Sequence, residues 1–84
     1  MMSLDDQFKA ASEKAFELPK QSNDNLLKLY ALFKQASLGD VQGKKPGAFD
    51  IKAKAKYKAW ESLKGKSTEE AKQEYIDLVD FLSA

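Results

Sequence analysis

IKAKAKYKAW, residues 51–60, sets lysine at positions 52, 54, 56 and 58 with alanine or tyrosine between them. Taken two residues at a time it is a half-buried strand with one charged face; taken at helical spacing it is something else. Alanine and lysine are good helix formers and poor strand formers, and no second strand-like run exists in the chain to pair with it. The stretch is therefore a helix, capped by Asp50 and closed by Gly65 in the position expected after a helix C-terminus. Projected at about 100° per residue, its lysines separate. Ala53, Tyr57, Ala59, Trp60 and Leu63 share one side, and Lys56 falls in the middle of that apolar sector with Lys52 beside it. Lys54 and Lys58 lie opposite, with Glu61 and Ser62.

The neighbouring segments are also helical. Ser3 and Asp6 form a capping arrangement, and Phe8, Ala11, Ala15 and Leu18 then recur at helical spacing until Pro19 forbids continuation, which predicts a helix over about 4–17. Ser22 caps a second run over about 23–37, in which Leu26, Leu29, Tyr30, Phe33 and Ala36 fall on one face. Gly39, Gly43, Pro46 and Gly47 then interrupt the pattern in LGDVQGKKPGAFD, a long connection of the kind that often carries function. Ser67 to Glu70 reads as a capping box, and Ala71, Tyr75, Leu78, Val79 and Leu82 line one face of a fourth helix that runs to the end of the chain. The fold class is all-α, one domain over residues 1–84.

Composition narrows the chemistry. The chain has 84 residues, no cysteine and no histidine. Thiolate nucleophiles, imidazole-based triads and the usual zinc sites all need one or the other. The acids of the fourth helix, Glu69, Glu70, Glu74, Asp77 and Asp80, read as a solvated face and not as a catalytic pair. No apolar run approaches the ~20 residues that cross a bilayer, and the N-terminal MMSLDDQF is acidic, so a soluble, cytoplasmic protein is the expectation. The net charge is +1, but residues 44–66 carry eight lysines against Asp50 and Glu61. All fourteen cations are lysine. Guanidinium is the group that reads guanine edges in a planar fork, so its absence weighs against sequence-specific nucleic-acid binding and leaves point-charge anion sites.

On the second helix Lys34 lies between Leu27 and Tyr30, so two helices each aim a cation toward their apolar side. Long lysine stems commonly cover apolar surface while their heads reach water, and Lys72 shows the same placement with no evident purpose. Lys34 and Lys56, however, have no carboxylate placed as an intrahelical partner, and Tyr30 stands one turn before Lys34. A cation half withdrawn from water beside an aromatic ring suits an external anion, with the ring offering a stacking surface.

LLKLYALFKQASLGD (26–40), followed by KKPGAFD (44–50), AKAKYKAWESLKGKSTEEA (53–71) and EYIDLV (74–79), resembles the acyl-CoA-binding protein family over nearly the whole chain. Its most specific part is the Y-x-x-[FY]-K-Q-A-[ST]-x-G-D pattern from Tyr30 to Asp40. The resemblance implies a four-helix up-down-down-up bundle with a long crossover between helices two and three. Its ligand would be the coenzyme A thioester of a medium- or long-chain fatty acid. Lys34 and Lys56 would pair with the 3′-phosphate on the ribose, Tyr30 would contact the adenine and that phosphate, and Tyr75 would sit near the pantetheine and the start of the acyl chain. Tyr30, Ala31, Leu32, Phe33 and Lys34 would together line the site, with Leu26 and Leu27 adding apolar contacts. Phe33 stands where many members have tyrosine, Phe16 where some carry lysine, and Tyr57 in place of a usual tryptophan.

The expected function is that of an acyl-CoA carrier and pool buffer. It would be a monomer with no cofactor, metal or catalysis, serving acyl-CoA-using enzymes or membranes as transient partners. A second class of function, a basic surface for anionic membranes or nucleic acid, would use residues 44–66 as a block.

Overall fold

A computed structural model describes residues 1–84 as four helices without a strand. These are α1 (Leu4–Lys14), continued by a single 3-10 turn at Ala15–Glu17, then α2 (Asn23–Leu38), α3 (Ile51–Glu61) and α4 (Thr68–Leu82). Each helix starts where a short polar side chain satisfies an orphan amide. Ser3 accepts from Asp6 N–H, Ser22 from Asn25, Asp50 from Ala53 and Ser67 from Glu70, a type of contact that contributes about 1 kcal/mol apiece. The reciprocal half of the box closes at α1, where Asp6 accepts from Ser3 N–H. At α4 it takes another form, because the Glu70 carboxylate accepts from the Ser67 hydroxyl.

Helix α3 ends earlier than the position of Gly65 suggests. Past Glu61 the chain tightens into turns, with Leu63, Lys64 and Lys66 N–H donating to Trp60, Glu61 and Leu63 carbonyls. Gly65 closes those turns at φ +92°, a conformation that favours glycine.

Cross-helix contacts define the direction of each element. Lys72 donates to Asp5 at 2.7 Å and Lys14 to Asp80 at 3.3 Å, so α1 and α4 run parallel. Phe33 meets Tyr75 while Gln35 reaches Lys66, so α2 and α4 are antiparallel. Tyr30 faces Lys56 and Gly39 faces Trp60, so α2 and α3 are parallel. The result is the up-down-down-up bundle, made possible by the long connection between α2 and α3. Lys72 therefore has a purpose after all: it draws α1 onto α4. Such exposed pairs fix geometry more than they stabilise, being worth about 0–1 kcal/mol each.

Ala11, Leu32, Tyr75, Ile76 and Val79 form the main core, with Leu4, Phe8, Ala15, Leu29, Leu63 and Leu78 packed around it. Helix α2 packs on both α4 and α3, and α1 on α4; α3 has no comparable packing against α1 or α4. Trp60 is the one buried residue of α3. Its indole N–H donates to the Gly39 carbonyl at 2.8 Å.

A polar clasp reinforces this joint. The Gln35 side chain, wholly buried, donates from Nε2 to Asp40 Oδ1 at 3.0 Å and to the Lys66 carbonyl at 2.7 Å. Those two acceptors fix the amide's orientation and leave its Oε1 buried without a protein partner. Asp40 Oδ1 also accepts from Gly65 N–H at 2.8 Å. That backbone bond first, the Gln35 amide second and nearby Lys64 hold the Asp40 carboxyl below its ordinary value of 3.8, against a smaller opposing effect of burial.

A carboxyl whose native pKa is depressed stabilises the fold above its unfolded pKa and loses that contribution as the pH falls through the native value. Asp40→Asn should therefore melt below the wild type at neutral pH. The gap in midpoint should be full above pH 3.8 and narrow as the pH falls below it, as followed by circular dichroism. A gap that did not change with pH would mean that the carboxylate's charge is not what the clasp uses.

Candidate functional site

Tyr30 lies on the side of α2 that meets Lys56 of α3, and two cations converge on its ring. Lys34 Nζ is 5.7 Å from the ring centroid, one helical turn along α2, and Lys56 Nζ is 5.3 Å away, contributed by α3. Lys34 Nζ also stands 5.8 Å from the Trp60 ring. These distances fall within cation–π range, worth about 0.5–1 kcal/mol at an exposed site. Neither lysine belongs to any of the molecule's three ion pairs. Lys34 is half-buried, whereas Lys56 is exposed, its stem crossing apolar surface and its head free. The helical projection thus places Lys56 correctly against α2 but overstates its withdrawal from water. Lys52, beside it on the projection, is exposed as well.

Next to the lysines is a strip of three rings. Phe8 stacks on Phe33 with centroids 5.5 Å apart, meets Tyr75 edge-on at 5.2 Å, and Phe33 lies 5.9 Å from Tyr75. Each such pair adds about 0.5–1.5 kcal/mol beyond burial. Tyr75 is buried, and that desolvation raises its phenol above the ordinary 10. Its hydroxyl has no protein hydrogen-bond partner and is not sealed from solvent. Phe33 remains 38% exposed and Leu26 51% exposed. An unpaired hydroxyl and uncovered apolar surface therefore adjoin two unpaired cations.

The nine residues expected at the site divide into two groups. Leu26, Tyr30, Phe33, Lys34, Lys56 and Tyr75 belong to this lysine and aromatic surface. Leu27, Ala31 and Leu32 turn around α2 and line a concavity of about 480 Å³ between α2, α3 and α4. That concavity is where α3 fails to close on α4. Its rim carries Glu74 and Asp77 against Lys28, which opposes an anionic head group, so the lysine surface is the candidate site. Ala31 and Leu32 are core.

Phe8, which periodicity assigns to the core alone, is also the back wall of Phe33; its position on α1 gives no sign of this. Phe16, at a position where some family members carry lysine, is almost fully exposed in the 3-10 turn after α1, and neighbouring Lys14 is turned to Asp80. No group of acids or imidazoles capable of holding a metal is present.

The family profile described as "Acyl CoA binding protein" matches residues 5–79. This chain belongs to the acyl-CoA-binding protein family. It is 55% identical over 82 residues to an acyl-CoA-binding protein homolog of Drosophila melanogaster, covering 96% of this chain and 95% of that protein. Over 78 residues it is 54% identical to the acyl-CoA-binding protein of Saccharomyces cerevisiae, covering 92% of this chain and 90% of that one. Among solved structures, acyl-CoA-binding protein 2 of Oryza sativa superposes with a TM-score of 0.93 at 43% identity, over 95% of this chain and 90% of that chain. The family pattern from Tyr30 to Asp40 carries two jobs in this chain. Tyr30, Phe33 and Lys34 face the candidate site, while Gln35, Gly39 and Asp40 build the clasp.

Removing either phenylalanine tests the aromatic strip. Phe8→Ala, in which a more buried ring disappears from two pairs, should cost about 3 kcal/mol in urea unfolding. Phe33→Ala should cost clearly less, because part of that ring already meets solvent. Equal losses would show that Phe33 is an ordinary core residue.

Proposed function

We propose that this protein binds medium- and long-chain fatty acyl-CoA esters and acts as a carrier and buffer for them, with no chemistry of its own. The observation that carries this reading is the convergence of Lys34 and Lys56 on Tyr30, two cations from different helices with no carboxylate to answer them. A phosphate set between them would receive charge-assisted bonds from both. The 3′-phosphate of CoA suits that position, with the adenine against Tyr30. The pantetheine would cross Phe33 toward Tyr75, whose free hydroxyl can donate to an amide carbonyl or accept from an amide N–H. Leu26 and the open part of Phe33 would receive the first acyl methylenes, and the nucleotide would fold over the chain.

This arrangement has a consequence for energetics. Each methylene covered contributes about 0.8 kcal/mol, so chain length sets affinity until the apolar surface is used up. The phosphate contacts fix the orientation. Membership of a family whose relatives are named acyl-CoA-binding proteins supports the same ligand class.

Titration calorimetry should give tight binding of palmitoyl-CoA, weak binding of CoA and little binding of palmitate. Equal affinity for palmitate and palmitoyl-CoA would sink the two-ended mechanism. Lys56→Ala should weaken the palmitoyl-CoA complex by about 1.5–3 kcal/mol, the scale of a hydrogen bond to a charged group. Lys54→Ala, on the opposite side of α3, should change it little. If the two variants behaved alike, only the general charge of α3 would be at work.

A further inference from the structure

The connection between α2 and α3 ends in a tip that neither the fold nor the candidate site uses. Phe49 is fully exposed and Ile51 is 78% exposed. Between them Asp50 turns its carboxylate inward to cap α3, accepting from Ala53 N–H at 3.1 Å, so no acid head stands between the two apolar side chains. Asp50 N–H donates to the Gly47 carbonyl at 3.1 Å, which makes the tip a hydrogen-bonded turn. Phe49 is thus held in water by a defined backbone, with nothing packed on it.

Charge surrounds this tip. Lys44 and Lys45 precede it and Lys52 and Lys54 follow, all four exposed and none in an ion pair. Lys45 lies with Lys54 and Lys58 around a small concavity floored by Tyr57, with Glu61 as its single acid. The acids gather elsewhere: residues 67–84 hold five against Lys72, on a helix with which α3 has no extensive packing.

Single exposed apolar residues are common and carry no message. Two of them on one tip, with unpaired lysines on either side, match the composition of segments that insert at a lipid interface: apolar side chains enter the acyl boundary and lysine heads stay with anionic head groups. A nucleic acid offers phosphates but nothing for an aliphatic side chain such as Ile51 to enter, and guanidinium is missing from the chain.

We propose that residues 44–54 form a docking surface for anionic bilayers, with Phe49 and Ile51 inserting and Lys44, Lys45 and Lys54, which shares the Ile51 face of α3, resting on the head groups. Lys56, on the side of α3 opposite Lys54, stays with Tyr30. Docking therefore leaves the ligand-facing side of α3 free at the membrane edge.

The test is co-sedimentation of the full chain with phosphatidylcholine vesicles, with and without phosphatidylserine. Binding should need phosphatidylserine and weaken as salt rises. Phe49→Ser/Ile51→Ser should lower partitioning by about ten- to a hundredfold, with unchanged melting temperature and unchanged affinity for palmitoyl-CoA. Phe81→Ser, which removes another largely exposed ring, beside Asp80, should change nothing. As an independent readout, Phe49→Trp should show a blue shift of the added emission with phosphatidylserine vesicles, and Phe81→Trp should not.

Undiminished partitioning of Phe49→Ser/Ile51→Ser would overturn the proposal, as would equal binding to vesicles without phosphatidylserine. Loss of binding on lysine reversal alone, with equal binding to duplex DNA, would also overturn it in favour of a polyanion surface. Because ligand affinity is measured on the same variants, a failure here is separable from a failure of the acyl-CoA reading.

Discussion

The placement of α3 rests on the joint at the end of α2. That helix packs on one neighbour only and buries a single side chain, Trp60. Burying one indole is worth a few kcal/mol at most, little to set against the entropy of fixing the long connection that precedes it. Direction and register must come from polar bonds. Trp60 N–H on Gly39, Gly65 N–H on Asp40 and Gln35 on Lys66 supply three, with Gln35 on Asp40 bracing the α2 side, all gathered at the end of α2 and the end of α3 with the turn after it. Their distribution matters more than their sum, because together they fix α3 along its axis and about it.

The candidate site inherits its geometry from that joint. Tyr30 and Lys34 would share a face of α2 in isolation, since they are one turn apart. Lys56 meets them only if α3 lies parallel to α2 in the observed register. A slip of one residue would turn Lys56 by about 100° away from Tyr30. The family pattern therefore keeps clasp and contact residues in one short run: the helix that presents Tyr30 and Lys34 also carries the fastening that brings Lys56 to them.

Much of this was legible in sequence because each helix has its own punctuation. Caps at Ser3, Ser22, Asp50 and Ser67 and the break at Pro19 mark the elements, and projection separates Lys56 from Lys54. The up-down-down-up order came only from family resemblance, since periodicity is silent about direction. Three points lay beyond a one-dimensional reading. The end of α3 depends on turns that a glycine closes but does not locate. The roles of Phe8 and Lys72 depend on partners sixty or more residues away along the chain, Tyr75 and Asp5. The separation of Leu27, Ala31 and Leu32 from the lysine surface depends on which neighbour each side of α2 meets.

The one-sided attachment of α3 also bears on how the molecule breathes. A helix fastened at one end and bordered by an open concavity is the natural unit of partial opening, while α1, α2 and α4 stay packed through their common core. Amide hydrogens of α3 should exchange through such openings and those of α2 and α4 through global unfolding. Any molecule held by Tyr30 and Lys56 together would act as the wall that α3 lacks, and would slow exchange most in the helix that contributes only one of its contacts.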